Sequence, residues 1–240
     1  MTYSMSKPSF VYCFSKKLAK NEEQYAINLQ LLEKSTNLLK KLYSYKLVTD
    51  TETLKDVKNF SSEIEIIDTQ NFIFLDDIKL SLLQSLNSSD ILIDPDVFVF
   101  DDLTISNDVD LIFEHKEKYY NNPWYDFIIE NLKGTFLYDK IKSTKKLPFV
   151  PNIGFLKINN KKLLSEYIEL YEYYSKDIID KKDEKLSNYS LILGQYLLGM
   201  LLFEGNYSYL YMRGVNKGSK YSHLAGPNKY KIFKESKSVI

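Results

Sequence analysis

The chain has 240 residues, 44% hydrophobic and 27% charged, which is the balance of an ordinary globular protein and excludes a disordered one. Its 32 acidic and 32 basic residues cancel, so no overall field draws it to nucleic acid or to an anionic membrane, and any anionic ligand must be held locally. Cys13 is the one cysteine, which excludes an internal disulfide framework and fits a reducing compartment, the cytoplasm.

Phe10 to Phe14 is a short apolar run suited to a buried strand. Residues 21–43 place Leu31, Leu38 and Leu42, with Leu32 and Leu39, at helical spacing. Tyr45 to Thr49 is the next predicted strand, Thr51 to Val57 a short helix, and Ile64 to Ile67 a third strand. Leu75 to Leu86 reads as a helix, followed by the apolar run Ile91 to Ile93. This alternation argues for a parallel sheet with helices on both faces.

The second half is more mixed. Val109 to Phe113 reads as a strand, and Asn122-Pro123 as the start of a helix running to Leu132. Phe149 to Ile158 reads as a strand broken by Asn152 and Gly154. Lys161 to Tyr174 is amphipathic and is expected to bury Leu164, Ile168 and Tyr171. Lys181 to Lys185 is a charged, exposed connection. Tyr189 to Phe203 is the most apolar helix candidate, yet too short for a membrane span and interrupted by Gln195 and two glycines. Tyr207 to Met212 is a predicted strand, and a loop containing Gly214, Gly218 and Gly226 follows. The start of the sequence lacks the apolar stretch of a secretory signal. No repeat or low-complexity linker divides residues 1–240, so a single domain is expected.

Two motifs carry chemistry. Asp94-Pro-Asp96 follows the run Ile91 to Ile93, where open α/β sheets bind their ligands. Alternate aspartates on a turn can direct two carboxylates at one hard cation. An Asx-type turn with surface acids is the alternative, and Asp101 and Asp102 read as a solvated turn. Downstream, His223, Gly226 and Lys229 stand in a His-x-x-Gly-x-x-Lys pattern. His223 could complete a metal site that suits Mn²⁺ better than Mg²⁺. Gly226 permits close backbone approach to a phosphate, and Lys229 offers an ammonium to it. Trp124 and Tyr125 could stack on a sugar, but core packing is the expectation for both. Cys13 has no obvious activating base, and no phosphate-binding Walker loop is present.

In motif order the chain resembles GT-A fold glycosyltransferases, most of all the glycogenin and lipopolysaccharide galactosyltransferase family (glycosyltransferase family 8). Members carry Asp-x-Asp after an apolar strand and His-x-x-Gly-x-x-Lys near the C-terminus. The resemblance extends to Asn152-Ile-Gly154, to a basic residue one helix before the Asp-x-Asp, here Lys79, and in part to an Asp-Gln pair, here Gly194-Gln195. It covers roughly residues 10 to 230.

The resemblance implies an α/β, GT-A type nucleotide-diphospho-sugar transferase fold, with a mostly parallel central sheet flanked by helices. It implies Mn²⁺ or Mg²⁺ on Asp94, Asp96 and His223, donor contacts from Lys79, Gly226 and Lys229, and catalytic roles at the sugar for Asn152 and Gln195. The implied activity is metal-dependent transfer of a hexose from a UDP-sugar to a carbohydrate or other hydroxyl acceptor, with retention. The loop from Gly214 to Tyr230 is a candidate lid. Gly194 stands where the family has an aspartate that contacts sugar hydroxyls, and Tyr230 follows the lysine where Pro-Trp is usual. The first strand also lacks the family's nucleotide-binding residues. A sugar-phosphate nucleotidylyltransferase and a non-catalytic sugar-nucleotide-binding module are the alternatives.

Overall fold

The computed structural model describes residues 7–19, 21–74, 76–144, 146–181, 189–190, 192–216 and 220–224. The elements begin with β1 (Ser9–Phe14), a 3-10 turn (Lys16–Leu18), α1 (Glu22–Leu39), β2 (Ser44–Thr49), α2 (Thr51–Val57) and β3 (Ile64–Ile66). Next come α3 (Asp77–Leu83), β4 (Asp90–Ile93), β5 (Val97–Val99), β6 (Leu111–Glu117), α4 (Pro123–Asn131) and α5 (Phe136–Ser143). The chain continues through β7 (Val150–Ile158), α6 (Lys161–Lys181), a π-helical turn (Ile192–Tyr196), α7 (Leu197–Glu204), β8 (Tyr209–Tyr211), α8 (Met212–Val215) and β9 (Tyr221–His223). Seven strands form one sheet in the order β3-β2-β1-β4-β7-β6-β8, and β5 pairs with β9. No described helix is long and apolar enough to cross a membrane.

Two compact units account for the fold. The first comprises Met1–Asn71, Leu86–Ile105 and Val215–Ile240. Its strands β1, β2, β3 and β4 are parallel, and β4 is buried throughout, which explains why Ile91 to Ile93 reads as an unbroken apolar run. Helix α1 starts where the Asn21 side chain accepts the Gln24 amide at 2.8 Å, and α2 where Asp50 accepts the Thr53 amide at 2.8 Å. The strand order reverses at β1, which lies between β2 and β4.

The second unit comprises Phe72–Ser85 and Ser106–Gly214. Here β6 pairs with β7 antiparallel and with β8 parallel. Strand β7 is continuous where the sequence suggested a break at Asn152 and Gly154. Asn152 Oδ1 accepts the Gly154 amide at 3.0 Å, so the polar side chain is satisfied inside the strand instead of ending it. Helix α6 runs to Lys181, and it buries Leu163, Tyr167, Ile168 and Tyr171, whereas Leu164 is only half-buried. The buried stripe is thus one position out of the expected frame at its start. Residues 182–185 of the expected charged connection lie outside the described residues. Helix α5 had no counterpart in the sequence reading.

Tyr12, Tyr125 and Tyr167 are fully or almost fully enclosed, and Tyr171 is 3% exposed. Burial raises the pKa of each phenol; the neighbouring carboxylates of Glu117 at Tyr125 and Asp76 at Tyr167 and Tyr171 raise it further. The folded state therefore keeps phenol protons that the unfolded chain releases near pH 10. Since the folded pKa values are raised, this stability is fully present below about pH 10 and is lost as pH rises above it. Urea midpoints are expected to fall steadily across that range, with tyrosinate absorbance appearing only on unfolding for these four residues. A constant midpoint would contradict this.

Candidate active site

The carboxyl end of β4 lies beside that of β1, where the strand order reverses, the position at which open α/β sheets leave a crevice for ligands. The chain leaves β4 there through Asp94-Pro95-Asp96, a turn closed by the Val97 amide donating to the Asp94 carbonyl at 3.1 Å. It then enters β5, which pairs antiparallel with β9 and sets Val97 opposite His223. The Leu224 amide donates to the Asp96 carbonyl at 3.0 Å and extends the pairing. A residue more than a hundred positions downstream is thereby placed beside the aspartates.

Ligand atoms of Asp94, Asp96 and His223 lie within 4.8 Å of one another. His223 Nε2 is 3.5 Å from Asp96 Oδ1, with both side chains almost fully buried. Two carboxylates and an imidazole, converging at this spacing in a buried corner, match the donor set of a hard to borderline divalent cation such as Mn²⁺. The ribbon that carries them is braced from below: Ile27 and Leu31 of α1 pack with Phe98, and Leu38 and Leu224 border that cluster. Ser35 of α1 donates to the Val97 carbonyl and lies 2.6 Å from the Tyr12 hydroxyl. Contacts of this kind would orient these side chains toward a bound cation. Asp101 and Asp102 are exposed beyond β5, as expected. A cleft of about 670 Å³ beside the carboxyl ends of β2 and β3 is lined by Lys17, Asp50, Thr51, Glu52 and residues 66–70.

Lys79, Asn152 and Gln195 lie in the second unit, all nearly buried. Lys79 of α3 donates from Nζ to the Ile153 carbonyl at 3.3 Å and stands 3.9 Å from Asp76 Oδ1. Asn152 Nδ2 donates to Glu117 Oε2 at 3.4 Å, and the Tyr125 hydroxyl donates to Gln195 Oε1 at 2.7 Å. Gln195 belongs to the π-helical turn, where all five residues are buried. Asp76, Glu117 and Tyr125 were not assigned to this polar cluster from sequence. The spacing of Asp76 and Lys79, one helical turn apart beside α3, is the signal that could have drawn attention to the first.

Three expectations fare differently. Gly226 and Lys229 lie outside the described residues. Of the candidate lid, Gly214 is helical within α8 and Tyr221–His223 is strand β9, so this part is regular structure and not loop. Trp124 is 47% exposed and stacks on Phe127, whereas its neighbour Tyr125 is 1% exposed. The expectation of core packing holds for the tyrosine and fails for the tryptophan, because Pro123 starts the helix with Trp124 on its outer side.

No protein-family model and no curated protein matches the sequence. Among solved structures, the galactosyltransferase LgtC, crystallised with donor and acceptor sugar analogues, is similar over 97% of this chain and 97% of its own, at TM-score 0.50 and 14% identity. The glycosyltransferase GlyE of Streptococcus pneumoniae TIGR4 is similar over 98% of this chain at TM-score 0.51 and 14% identity. The chain spans 62% of the GlyE structure. The fold is that of the GT-A glycosyltransferases. Within this GT-A fold the mostly parallel sheet and flanking helices agree with the architecture expected from the sequence.

Proposed function

We propose that the chain is a metal-dependent hexosyltransferase that takes its sugar from a UDP-sugar and passes it to a carbohydrate or other hydroxyl acceptor. The observation that supports this most is the convergence of Asp94, Asp96 and His223 within 4.8 Å at the strand-order reversal of a GT-A fold. Mn²⁺, or Mg²⁺ in its place, would be held by these three side chains and would offset charge on a leaving diphosphate.

The remaining steps belong to the protein's own groups. Lys229 is assigned an ammonium contact to the diphosphate, and Gly226 a close backbone approach to it. Lys79 is assigned to the donor. Asn152 and Gln195 face the sugar; the Gln195 carbonyl oxygen accepts from Tyr125, which orients its amide group. Holding the acceptor hydroxyl near the anomeric carbon turns a chance encounter into an oriented reaction. Retention of configuration is part of this reading, with attack on the face from which the diphosphate departs. A lone cysteine accords with work in the cytoplasm.

A thermal-shift panel of UDP-, GDP- and CMP-hexoses with and without Mn²⁺ tests the proposal. A ligand that binds only the folded state at 100 times its Kd adds about 2.7 kcal/mol. The expected result is a shift for UDP-hexose that requires Mn²⁺, accompanied by slow release of UDP. Binding without any release or transfer would identify a sugar-nucleotide-binding module, and no metal-dependent shift with any donor would overturn the reading.

A further inference from the structure

Ser35 is fully buried inside α1, on the stripe that also carries Ile27 and Leu31. Those two residues, eight and four positions earlier, pack with Phe98 of β5. A serine within a helix ordinarily turns to solvent or bonds back to a carbonyl of the preceding turn. Its neighbour Thr36 does the latter, bonding to the carbonyls of Leu32 and Glu33. Ser35 does neither. Its hydroxyl leaves the helix and donates to the Val97 carbonyl of β5, 62 residues away in sequence.

That carbonyl is one β9 cannot serve. The Leu224 amide donates to the Asp96 carbonyl and the Phe100 amide to the Lys220 carbonyl, so Asp96 and Phe100 turn these backbone groups toward β9. Along an antiparallel pair, every other residue turns its backbone groups to the opposite side, and Val97 is one of these. Val97 is fully buried, where an unmet carbonyl is costly. Its amide donates to the Asp94 carbonyl at 3.1 Å across the turn, and its carbonyl accepts from Ser35. Both bonds hold the outer edge of the ribbon at the residue that follows Asp96 and stands opposite His223.

The Tyr12 hydroxyl, 2.6 Å from Ser35 Oγ, completes a chain. A hydroxyl has one proton to give. Ser35 gives its own to Val97, so Tyr12 is the donor to Ser35, and the bonds run in one direction from β1 through α1 to β5. Both side chains are fully buried. A satisfied buried network of this kind fixes a single arrangement of the parts it joins. We infer that Ser35 and Tyr12 are positioning residues for the metal site, their relay to Val97 holding the ribbon so that the Asp96 and His223 side chains meet. The inference rests on the metal-site reading above. Phenylalanine at position 12 and alanine at position 35 would suit an apolar core; the Val97 carbonyl is what calls for the hydroxyls.

The test titrates Mn²⁺ alone into the full chain, read by calorimetry and by the electron paramagnetic resonance of free Mn²⁺, with melting temperatures alongside. The variants are Ser35→Ala, Tyr12→Phe, the two combined, and Thr36→Val, which removes an equally buried hydroxyl that bonds within its own helix. Ser35→Ala is expected to weaken Mn²⁺ binding about 10-fold, the lower end for partners outside the ligands themselves. Tyr12→Phe is expected to weaken it about 3-fold, as for one neutral hydrogen bond. The combined variant should bind like Ser35→Ala, because Tyr12 reaches the ribbon only through Ser35. Thr36→Val should bind as the wild type does, even where its melting temperature falls as far. A merely structural role would lower melting temperatures and leave the affinity of the folded chain untouched. Wild-type affinity in Ser35→Ala would overturn the inference, as would losses that add in the combined variant or an equal loss in Thr36→Val. If Ser35→Ala does not fold, Tyr12→Phe decides, since it keeps the ring and its edge contact with Tyr45; wild-type affinity there overturns the inference. A wild type that binds no Mn²⁺ would instead remove the metal site, and this inference with it.

Discussion

Asp96→Asn and His223→Ala are each expected to weaken Mn²⁺ binding by about 100-fold or more, since even outer-shell partners of a metal site are worth 10- to 100-fold. Donor turnover should fall in parallel. The carboxamide keeps the size of the side chain but removes the charge that a hard cation requires. Asp96 immediately precedes β5 and His223 lies on its partner strand β9, with Asp96 Oδ1 and His223 Nε2 3.5 Å apart, so each loss should disable the same site. Asp101→Asn is the control, because Asp101 is exposed beyond β5. Titration of Mn²⁺ by calorimetry, alone and then with UDP, provides the readout. Wild-type metal affinity in both variants would separate the cluster from metal binding altogether. A loss in Asp101→Asn equal to that in Asp96→Asn would point to general acidity and not to a built site.

Phe113→Ala is expected to cost about 3–5 kcal/mol of folding stability, the range for emptying a buried aromatic site. Phe113 is fully buried in β6. Its ring stacks near those of Phe149 and Tyr211, at 5.9 and 6.2 Å, and tilts against Tyr209 at 5.6 Å. Lys116 lies over the rings of Phe149, Tyr209 and Tyr211, capping the group with its ammonium. The bulge between Phe113 and His115 already interrupts the β6–β7 register, so little backbone regularity is available there to absorb a cavity. A domain with about 5–15 kcal/mol in total would lose a large fraction of it. Phe113→Leu should cost far less, about 1.5 kcal/mol or under, because most of the volume remains. Urea denaturation of both variants checks the pair, and a cost below about 1 kcal/mol for the alanine would show that the cluster collapses freely around the gap.

What was legible in the sequence follows from how each element is buried. Strands β1 and β4 are parallel and mostly enclosed, so they stand out as apolar runs, and the Asp94-Pro-Asp96 turn is legible because it interrupts such a run at its carboxyl end. Helix α2 matches its expected bounds, and in the structure the Asp50 side chain caps its first turn. Strand β7 was misread in its interior, since Asn152 and Gly154 look like breakers until the side chain of the first is found bonded to the amide of the second. Helix α4 was placed correctly, but a proline start alone does not say which side faces the core, and so Trp124 and Tyr125 could not be told apart.

Residue types and local order determined the fold class, the alternation of its first half and the identity of Asp94, Asp96 and His223 as candidate ligands. Only the folded chain decided that they meet. Strand β9 has three residues and no periodicity of its own; it exists because β5 offers it a partner, and that pairing is a long-range hydrogen-bond choice invisible in a single segment. The same holds for Asp76, whose carboxylate fills the place beside Gly194 across more than a hundred residues of sequence. Spacing along a chain reports which side chains share a face, whereas proximity between distant segments is set by packing, and packing is where these charged groups acquire their partners.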